Sequence, residues 1–185
     1  DAASGPQLGH GLHGILAVRQ YPCLAGTAVP RDVVEFPSQF NEHWASQPAG
    51  FSHYAKHYKT GALMPAEVAE KIKTSATFNQ GYALTEILAA AELDMQWHTL
   101  PPTTPLQNPD AFERAALEKT HLALPAVPPR YRSTYFAHIW GGDYGAGYYA
   151  YLWAEMLDDD GFQWFENHGG LTRANGDRLR HMVLS

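Results

Sequence analysis

Apolar residues in this chain recur at the spacing of α-helices almost from end to end. Leu8, Leu12, Ile15 and Leu16 fall at i, i+4, i+7 and i+8, which places them on one helix face. Comparable spacing returns over residues 33–44, 64–73, 81–98, 110–121, 147–157 and 175–184. The sequence contains no alternating apolar run of useful length for a half-buried strand. It therefore predicts an all-α fold, with residues 1–185 forming a single helical domain.

Charge and cysteine content exclude several classes of function. The net charge is −6 and the lysines and arginines are scattered, so a surface that neutralises nucleic-acid phosphates is not expected. No apolar run approaches the roughly 20 residues of a membrane span. Cys23 is the only cysteine, which excludes a disulfide framework and a zinc site built from several thiolates. We expect neither nucleic acid nor a membrane as a partner.

Both ends of the sequence have the character of cut ends. The first residues contain neither a methionine nor a basic segment before an apolar stretch, and the last helical pattern runs up to the final residue. We expect the chain to be truncated at both ends relative to a longer protein. Such a piece exposes apolar surface, which predicts self-association.

The segment Gly9–Gly14 carries two histidines, His10 and His13, at a spacing that shares one helix face. Zinc sites of the His-Glu-x-x-His type need two imidazoles at i and i+4 and a glutamate beside the first. Four positions before His10 stands Pro6, followed by Gln7. Proline cannot bind a metal and glutamine cannot accept a proton, so from spacing alone a structural role for the histidines is the more frequent case.

Two further segments combine polar and aromatic residues. Glu35, Gln39 and Glu42 form a stripe at i, i+4 and i+7, which indicates either a solvated helix face or the lining of a cleft. A glycine-rich loop near residues 141–147 is followed by tyrosines at helical spacing. Their phenols fit two roles, packing in a core or donating hydrogen bonds to a peptide carbonyl or an oxyanion.

Taken in order, four strings of the sequence resemble the zinc oligopeptidase family that contains thimet oligopeptidase and bacterial peptidyl-dipeptidase (dipeptidyl carboxypeptidase). They are GHGLHG, GTAVPRDVVEFPSQFNEHWA, LPAVPPRYRSTYFAHIWGG and GYYAYLWAEML. The resemblance runs from about Gly9 to Ser185. It implies the C-terminal catalytic portion of a mostly helical zinc metallopeptidase that releases dipeptides from the C-terminus of short peptides. With the single cysteine, it also favours a cytoplasmic location.

The resemblance assigns roles to individual residues of this chain. His10 matches the second histidine ligand of zinc, and Glu35 matches the third, carboxylate ligand. The residues matched to catalysis are His138, Tyr144 and Tyr151. Those matched to substrate binding are Tyr148, Gly141 and Gly142.

The sequence departs from the family where the first histidine ligand and the general-base glutamate belong, because Pro6 and Gln7 stand there. Either residues 1–8 are foreign or misassigned sequence, or the chain is a degraded relative without peptidase activity. Two ligands hold zinc weakly unless His13, His43 or a partner chain supplies another. The alternatives are a non-catalytic helical module for peptide binding or assembly and, more weakly, another hydrolase activity on the same scaffold.

Overall fold

The structure is a computed structural model that describes residues 4–185, with the side chains of residues 4–7 and Ala49 left outside the description. Most of the atypical segment 1–8, including the side chains of Pro6 and Gln7, therefore lies outside the described residues. Within the described part the chain is helical, with two isolated bridges and no strand. The predicted all-α fold is confirmed.

The chain divides into two compact units. The first comprises the residues up to Ala76 together with Trp153–Ser185, and the second comprises Thr77–Leu152. The helices, in chain order, are α1 Ser4–Leu16, α2 Arg31–Val34, α3 Phe36–Ser46, α4 Pro48–Tyr54, α5 Ala66–Ser75, α6 Gln80–His98, α7 Pro109–Lys119, α8 Ala137–Trp140, α9 Ala150–Asn167 and α10 Arg173–Leu179. A π-helical turn, Arg180–Leu184, follows α10. Among the described residues, no helix is long and apolar enough to cross a bilayer.

In the first unit, α1 and α3 pack with their backbones in direct contact. A Cβ atom at Gly9 would lie only 2.6 Å from the backbone nitrogen of Ser38 and 2.7 Å from the carbonyl oxygen of Pro37. Real Cβ atoms do not approach backbone this closely, so only glycine fits at this crossing. Phe40 is 1% exposed and packs its ring against Phe165 of α9, which closes the core of this unit.

The segment predicted as one helix over residues 33–44 is two helices that meet at Glu35. Glu35 caps the end of α2 with its backbone N–H on the carbonyl of Val33, and it also precedes the first residue of α3. Pro37 follows in the first turn of α3. Because proline has no N–H to donate, a continuous helical hydrogen-bond ladder cannot run through this position.

The second unit is built on α6, α7 and α8 and the start of α9. Its core contains small residues of α6 and larger side chains from the segment that follows α7, namely Ala90, Ala91, Phe136, Ile139 and Tyr148. The helical pattern of α6 correctly indicated a buried face, but Leu84 and Leu88, both expected to point inward, are exposed. The buried positions concentrate instead between Ala89 and Asp94, where small side chains let the core approach the helix.

Two helices differ from the sequence prediction. The α4 helix was not predicted, and it begins at Pro48, a residue favoured in the first turn of a helix. The α9 helix continues to Asn167, past the expected end at residue 157. In this additional part of α9, Asp158 is buried and hydrogen-bonded to His43 of α3.

Candidate functional site

The two predicted metal ligands meet in the first unit. His10 lies on α1, Glu35 lies at the α2–α3 junction, and the His10 Nε2 atom is 3.3 Å from the Glu35 Oε2 atom. Tetrahedral zinc binds nitrogen and oxygen at about 2.0–2.2 Å, which separates neighbouring ligand atoms by about 3.3–3.5 Å. Glu35 is only 5% exposed, so its carboxylate is held in a fixed direction. The pair has the separation of two ligands on one metal ion.

The local folding of the chain explains this approach. The glycine contact at Gly9 brings α1 against the start of α3, one residue before His10. Glu35 lies at the junction of α2 and α3, next to this contact. His10 Nδ1 and His13 Nδ1 are buried and have no hydrogen-bond partner among the described residues. Burial, with the nearby charges of Arg19 and His10, lowers the pKa of His13.

The pair is not a complete zinc centre. Position 6 lies one helical turn before His10 on α1, where a ligand would share its face, but proline stands there. Within the described residues, the one group of three metal-ligating side chains is His43, Asp158 and Asp159. Neither His13 nor His43 therefore completes the His10–Glu35 pair. The residues that the structure describes therefore provide two ligands for a zinc ion and no more.

A second polar cluster surrounds His43 in the same unit. Its Nε2 atom lies 2.8 Å from Oδ1 of Asp158 and 3.6 Å from Oδ1 of Asp159. These residues, with Gln39, Glu42, Ser46 and Glu155, line a cavity of about 270 Å³. The stripe predicted from the sequence therefore lines a cleft through Gln39 and Glu42, whereas Glu35 is buried.

Ionisation in this cavity is shifted toward the protonated forms. The hydrogen bond to Asp158 raises the pKa of His43. Burial raises the pKa of Asp158, an effect that the neighbouring His43 partly offsets. Burial and the negative charge of neighbouring aspartates raise the pKa of Glu42 and Glu155.

In the second unit, the structure brings the three predicted catalytic side chains and the predicted substrate-binding Tyr148 into one aromatic set, together with Tyr131, which was not predicted. This set consists of His138 and the four tyrosine rings around it, Tyr131, Tyr144, Tyr148 and Tyr151. The ring centroids lie 4.8–6.3 Å from that of His138. His138 Nδ1 is buried and has no hydrogen-bond partner among the described residues. A buried polar atom without a partner costs free energy, which makes this nitrogen a candidate for contact with a ligand.

The tyrosines of the aromatic set differ in their surroundings. Tyr144 and Tyr151 stack with centroids 5.3 Å apart and an interplanar angle of 12°, and both are partly exposed. Tyr148 is 5% exposed and belongs to the core, and its burial raises the pKa of its phenol. Its hydroxyl therefore stays protonated at neutral pH. The predicted contact of Tyr148 with substrate stays a prediction.

The glycine-rich loop starts with Gly141 and Gly142, both exposed. A Cβ atom at Gly142 would stand 2.8 Å from the carbonyl oxygen of His138. Glycine at this position lets the chain turn directly over the last residues of α8 and carry Tyr144 back beside His138. The close turn, rather than an open hinge, is what this glycine provides.

Sequence reasoning missed two residues of α6 that contact this loop, Asp94 and His98. Asp94 accepts hydrogen bonds from the backbone N–H groups of Ala146 and Tyr148 at 2.9 Å each. A signal was present, since Asp94 lies three residues after Ala91 and seven after Ile87, on the face that the apolar pattern itself marked as buried. A carboxylate on such a face needs partners from elsewhere in the fold.

The first unit thus joins His10 to Glu35, and the second joins His138, Tyr144, Tyr148 and Tyr151. Packed helices that carry a histidine and a glutamate at metal-ligand spacing are typical of helical metallohydrolases. The sequence matches Peptidase family M3 over residues 7–185. The chain belongs to that family, which confirms the resemblance seen in its motifs.

The most similar relatives include peptidases of bacteria and plants. The chain is 57% identical to the dipeptidyl carboxypeptidase of Salmonella typhimurium and 56% identical to that of Escherichia coli, in each case over 97% of this chain and 26% of the relative. It is 35% identical to the organellar oligopeptidase A of Arabidopsis thaliana, over 97% of this chain and 23% of the relative. The chain therefore spans about a quarter of the length of the curated relatives it matches.

Proposed function

We propose that this chain is part of a zinc-dependent peptidyl-dipeptidase that removes C-terminal dipeptides from short peptides. The observation that carries the proposal is the 3.3 Å separation of His10 Nε2 and Glu35 Oε2. Membership of Peptidase family M3 and the similarity to two dipeptidyl carboxypeptidases support it. A zinc ion held by this pair and a third ligand would act as a Lewis acid on a peptide carbonyl.

The residues of the second unit supply the groups that bind peptide in this proposal. Peptide backbones offer carbonyl acceptors and N–H donors at regular intervals. The phenols of Tyr144 and Tyr151 donate hydrogen bonds to carbonyl oxygen, and the free Nδ1 of His138 takes part as donor or acceptor. Donors aimed at a carbonyl oxygen stabilise the negative charge that develops when the carbonyl is attacked.

The chain as written is expected to bind zinc weakly and to hydrolyse no peptide. Position 6 supplies no ligand, and the amide of Gln7 cannot accept a proton from water. The double substitution Pro6→His with Gln7→Glu restores both groups on the first turns of α1. Histidine at position 6 then lies four residues before His10, on the same helix face.

The test measures zinc per chain and peptide hydrolysis in the parent and the double variant. Both proteins are purified without added metal and dialysed against a weak chelator before elemental analysis. Hydrolysis is followed by the release of dipeptide from an N-acylated tetrapeptide. We expect zinc near zero in the parent and about one per chain in the double variant, with dipeptide released only by the latter.

Two controls locate the metal. Adding Glu35→Gln to the double variant removes a proposed ligand and is expected to abolish stable zinc binding. Adding Asp158→Asn instead alters the separate group at His43 and is expected to leave zinc unchanged. The proposal fails if the double variant binds no zinc, or if zinc depends on Asp158 and not on Glu35.

A second candidate is a non-catalytic module that binds peptides through the aromatic set. The unpartnered Nδ1 of His138 within five clustered rings favours it, since this arrangement involves no metal ligand. In that case peptide binding by calorimetry is unaffected by chelator and is weakened by Tyr144→Phe and Tyr151→Phe. Unchanged affinity in both tyrosine variants rules this candidate out.

A further inference from the structure

The carboxylate of Asp94 is the most deeply buried charged group of the second unit for which the proposed function has no use. It lies inside α6 with 0% exposure. Aspartate is unfavourable within a helix, and burying its charge is costly unless donors surround it. Its presence in the apolar interior therefore requires specific partners.

Those partners come from the segment that carries the tyrosines. The Oδ1 atom of Asp94 accepts from the N–H of Ala146, and Oδ2 accepts from the N–H of Tyr148, both at 2.9 Å. The Nδ1 atom of His98, one turn further along α6, lies 2.7 Å from Oδ1. Both oxygens are therefore engaged, and two of the three contacts fix backbone rather than side chain.

Through these contacts, a side chain of α6 holds the backbone turn that leads into α9. Ala146 and Tyr148 lie in the turn that leads into α9, which begins at Ala150, and the N–H groups of both donate to Asp94. A negative charge at this end is stabilised by the helix dipole. Ala146 has a φ of 55°, in the left-handed region that is costly for a residue with a side chain, and the Asp94 contact holds its amide in that conformation.

His98 contacts both arms of the glycine-rich loop. Its ring lies 5.5 Å from that of Trp140, which ends α8 before the loop. On the other arm, a Cβ atom at Gly145 would come within 2.9 Å of His98 Nε2. The pair of side chains on α6 thus sets where the loop leaves α8 and where it enters α9.

We propose that Asp94, supported by His98, is a positioning residue that fixes the tyrosines of the aromatic set for peptide binding and turnover. The proposal rests on the proposed function for the role of those tyrosines, whereas the fixing itself is a property of this fold. Tyr144 lies two residues before one held amide, Tyr148 carries the other, and Tyr151 follows in the first turn of α9. Releasing the carboxylate frees all three together.

The first readout is independent of activity. Asp94→Asn keeps the shape of the side chain but removes its charge and turns an N–H donor toward a backbone donor. We expect hydrogen exchange at the amides of Ala146 and Tyr148 to accelerate about tenfold or more, relative to amides within α7. The matched control is Glu113→Gln, because Glu113 is 4% exposed and accepts from the backbone N–H of Ser133 at 2.8 Å, an amide outside residues 141–148.

The second readout separates positioning from general destabilisation. In the zinc-restored double variant, Asp94→Asn is expected to lower kcat about tenfold or more, while Glu113→Gln leaves kcat per folded molecule unchanged. His98→Ala, which keeps both backbone contacts of Asp94, is expected to give a smaller change in the same direction. It also serves as the test if Asp94→Asn does not fold.

The outcomes separate this inference from the proposed function. Unchanged exchange at Ala146 and Tyr148 in both Asp94→Asn and His98→Ala overturns the inference, as does an equal response in Glu113→Gln. A double variant that hydrolyses no peptide overturns the proposed function alone, because the exchange measurement still decides whether Asp94 holds the loop.

Discussion

The two units position their functional side chains by opposite means. In the first unit, His10 and Glu35 approach because two helices touch through a glycine, with no side chain between them. In the second unit, the aromatic set is held by a buried carboxylate that reaches across to backbone amides. The first arrangement is therefore sensitive to added atoms, and the second is sensitive to lost charge or lost hydrogen bonds.

The largest loss of stability is expected when one methyl group is added where α1 and α3 touch in the first unit. Gly9→Ala places a Cβ atom against the backbone of Ser38 and is expected to lower the free energy of unfolding by about 3 kcal/mol. Denaturant unfolding measures this change in the free energy of unfolding. Gly11→Ala is the matched control, since nothing lies within 4 Å of a Cβ there, and alanine in a helix stabilises by about 0.5–1 kcal/mol. Equal stability of the two variants would contradict the helix crossing described for Gly9.

The second-largest loss of stability is expected when the buried carboxylate of the second unit loses its charge. Asp94→Asn adds no heavy atom, yet it is expected to cost about 2 kcal/mol of unfolding free energy because buried donors lose their acceptor. Gly147→Ala, in the same loop, adds a methyl group that meets only ordinary contacts at 3.5 Å or more from Tyr144. It is expected to change stability by less than about 1 kcal/mol. A larger loss from Gly147→Ala than from Asp94→Asn would reverse the contrast between the units.

The smallest effect concerns pH and belongs to the first unit alone. Because the pKa of His43 is raised above its ordinary value of 6.5, the folded state holds this proton more tightly than the unfolded state. The stabilisation is therefore complete below pH 6.5 and is lost as pH rises through the folded pKa. The raised pKa values of Glu42, Glu155 and Asp158 act in the same direction at lower pH, whereas the lowered pKa of His13 acts in the opposite direction.

Comparison with His43→Gln isolates the histidine. Glutamine can still donate to Asp158 but does not titrate. The free energy of unfolding of the parent exceeds that of this variant, and we expect this difference to fall by about 1 kcal/mol between about pH 6 and about pH 9. Urea unfolding at the two pH values measures the difference. A difference that does not depend on pH would show that the His43–Asp158 contact does not require a charged imidazole.

Apolar periodicity was sufficient to predict the helical fold, because the helical spacing of apolar residues can be recognised within a single segment of the sequence. It located α6 and α7 closely, and it correctly predicted a helix around His10. It could not show that the helix around Glu35 is interrupted, since Val33, Phe36 and Phe40 keep helical spacing across the junction. The break depends on Pro37 and on packing against α1.

The features that sequence reasoning missed depend on contacts between distant segments. The burial of Asp158 was not predicted, because its partner His43 lies more than 100 positions earlier in the chain. Asp94 was likewise passed over, because its partners are backbone amides, which leave no trace in residue identity. Backbone carbonyl acceptors are present at every position and N–H donors at every position except proline, so a sequence cannot show which donors a buried carboxylate will use.

The dense aromatic set gives the second unit a cluster of fixed tyrosine rings that absorb in the near ultraviolet. Tyr144 and Tyr151 stack nearly parallel, while Tyr131 and Tyr148 meet at 86° with centroids 6.0 Å apart. Rings held in fixed, asymmetric orientations produce near-ultraviolet circular dichroism, which disappears when tertiary packing loosens even if helices persist. The order of the loop that carries these tyrosines can therefore be followed spectroscopically, without a label and without substrate.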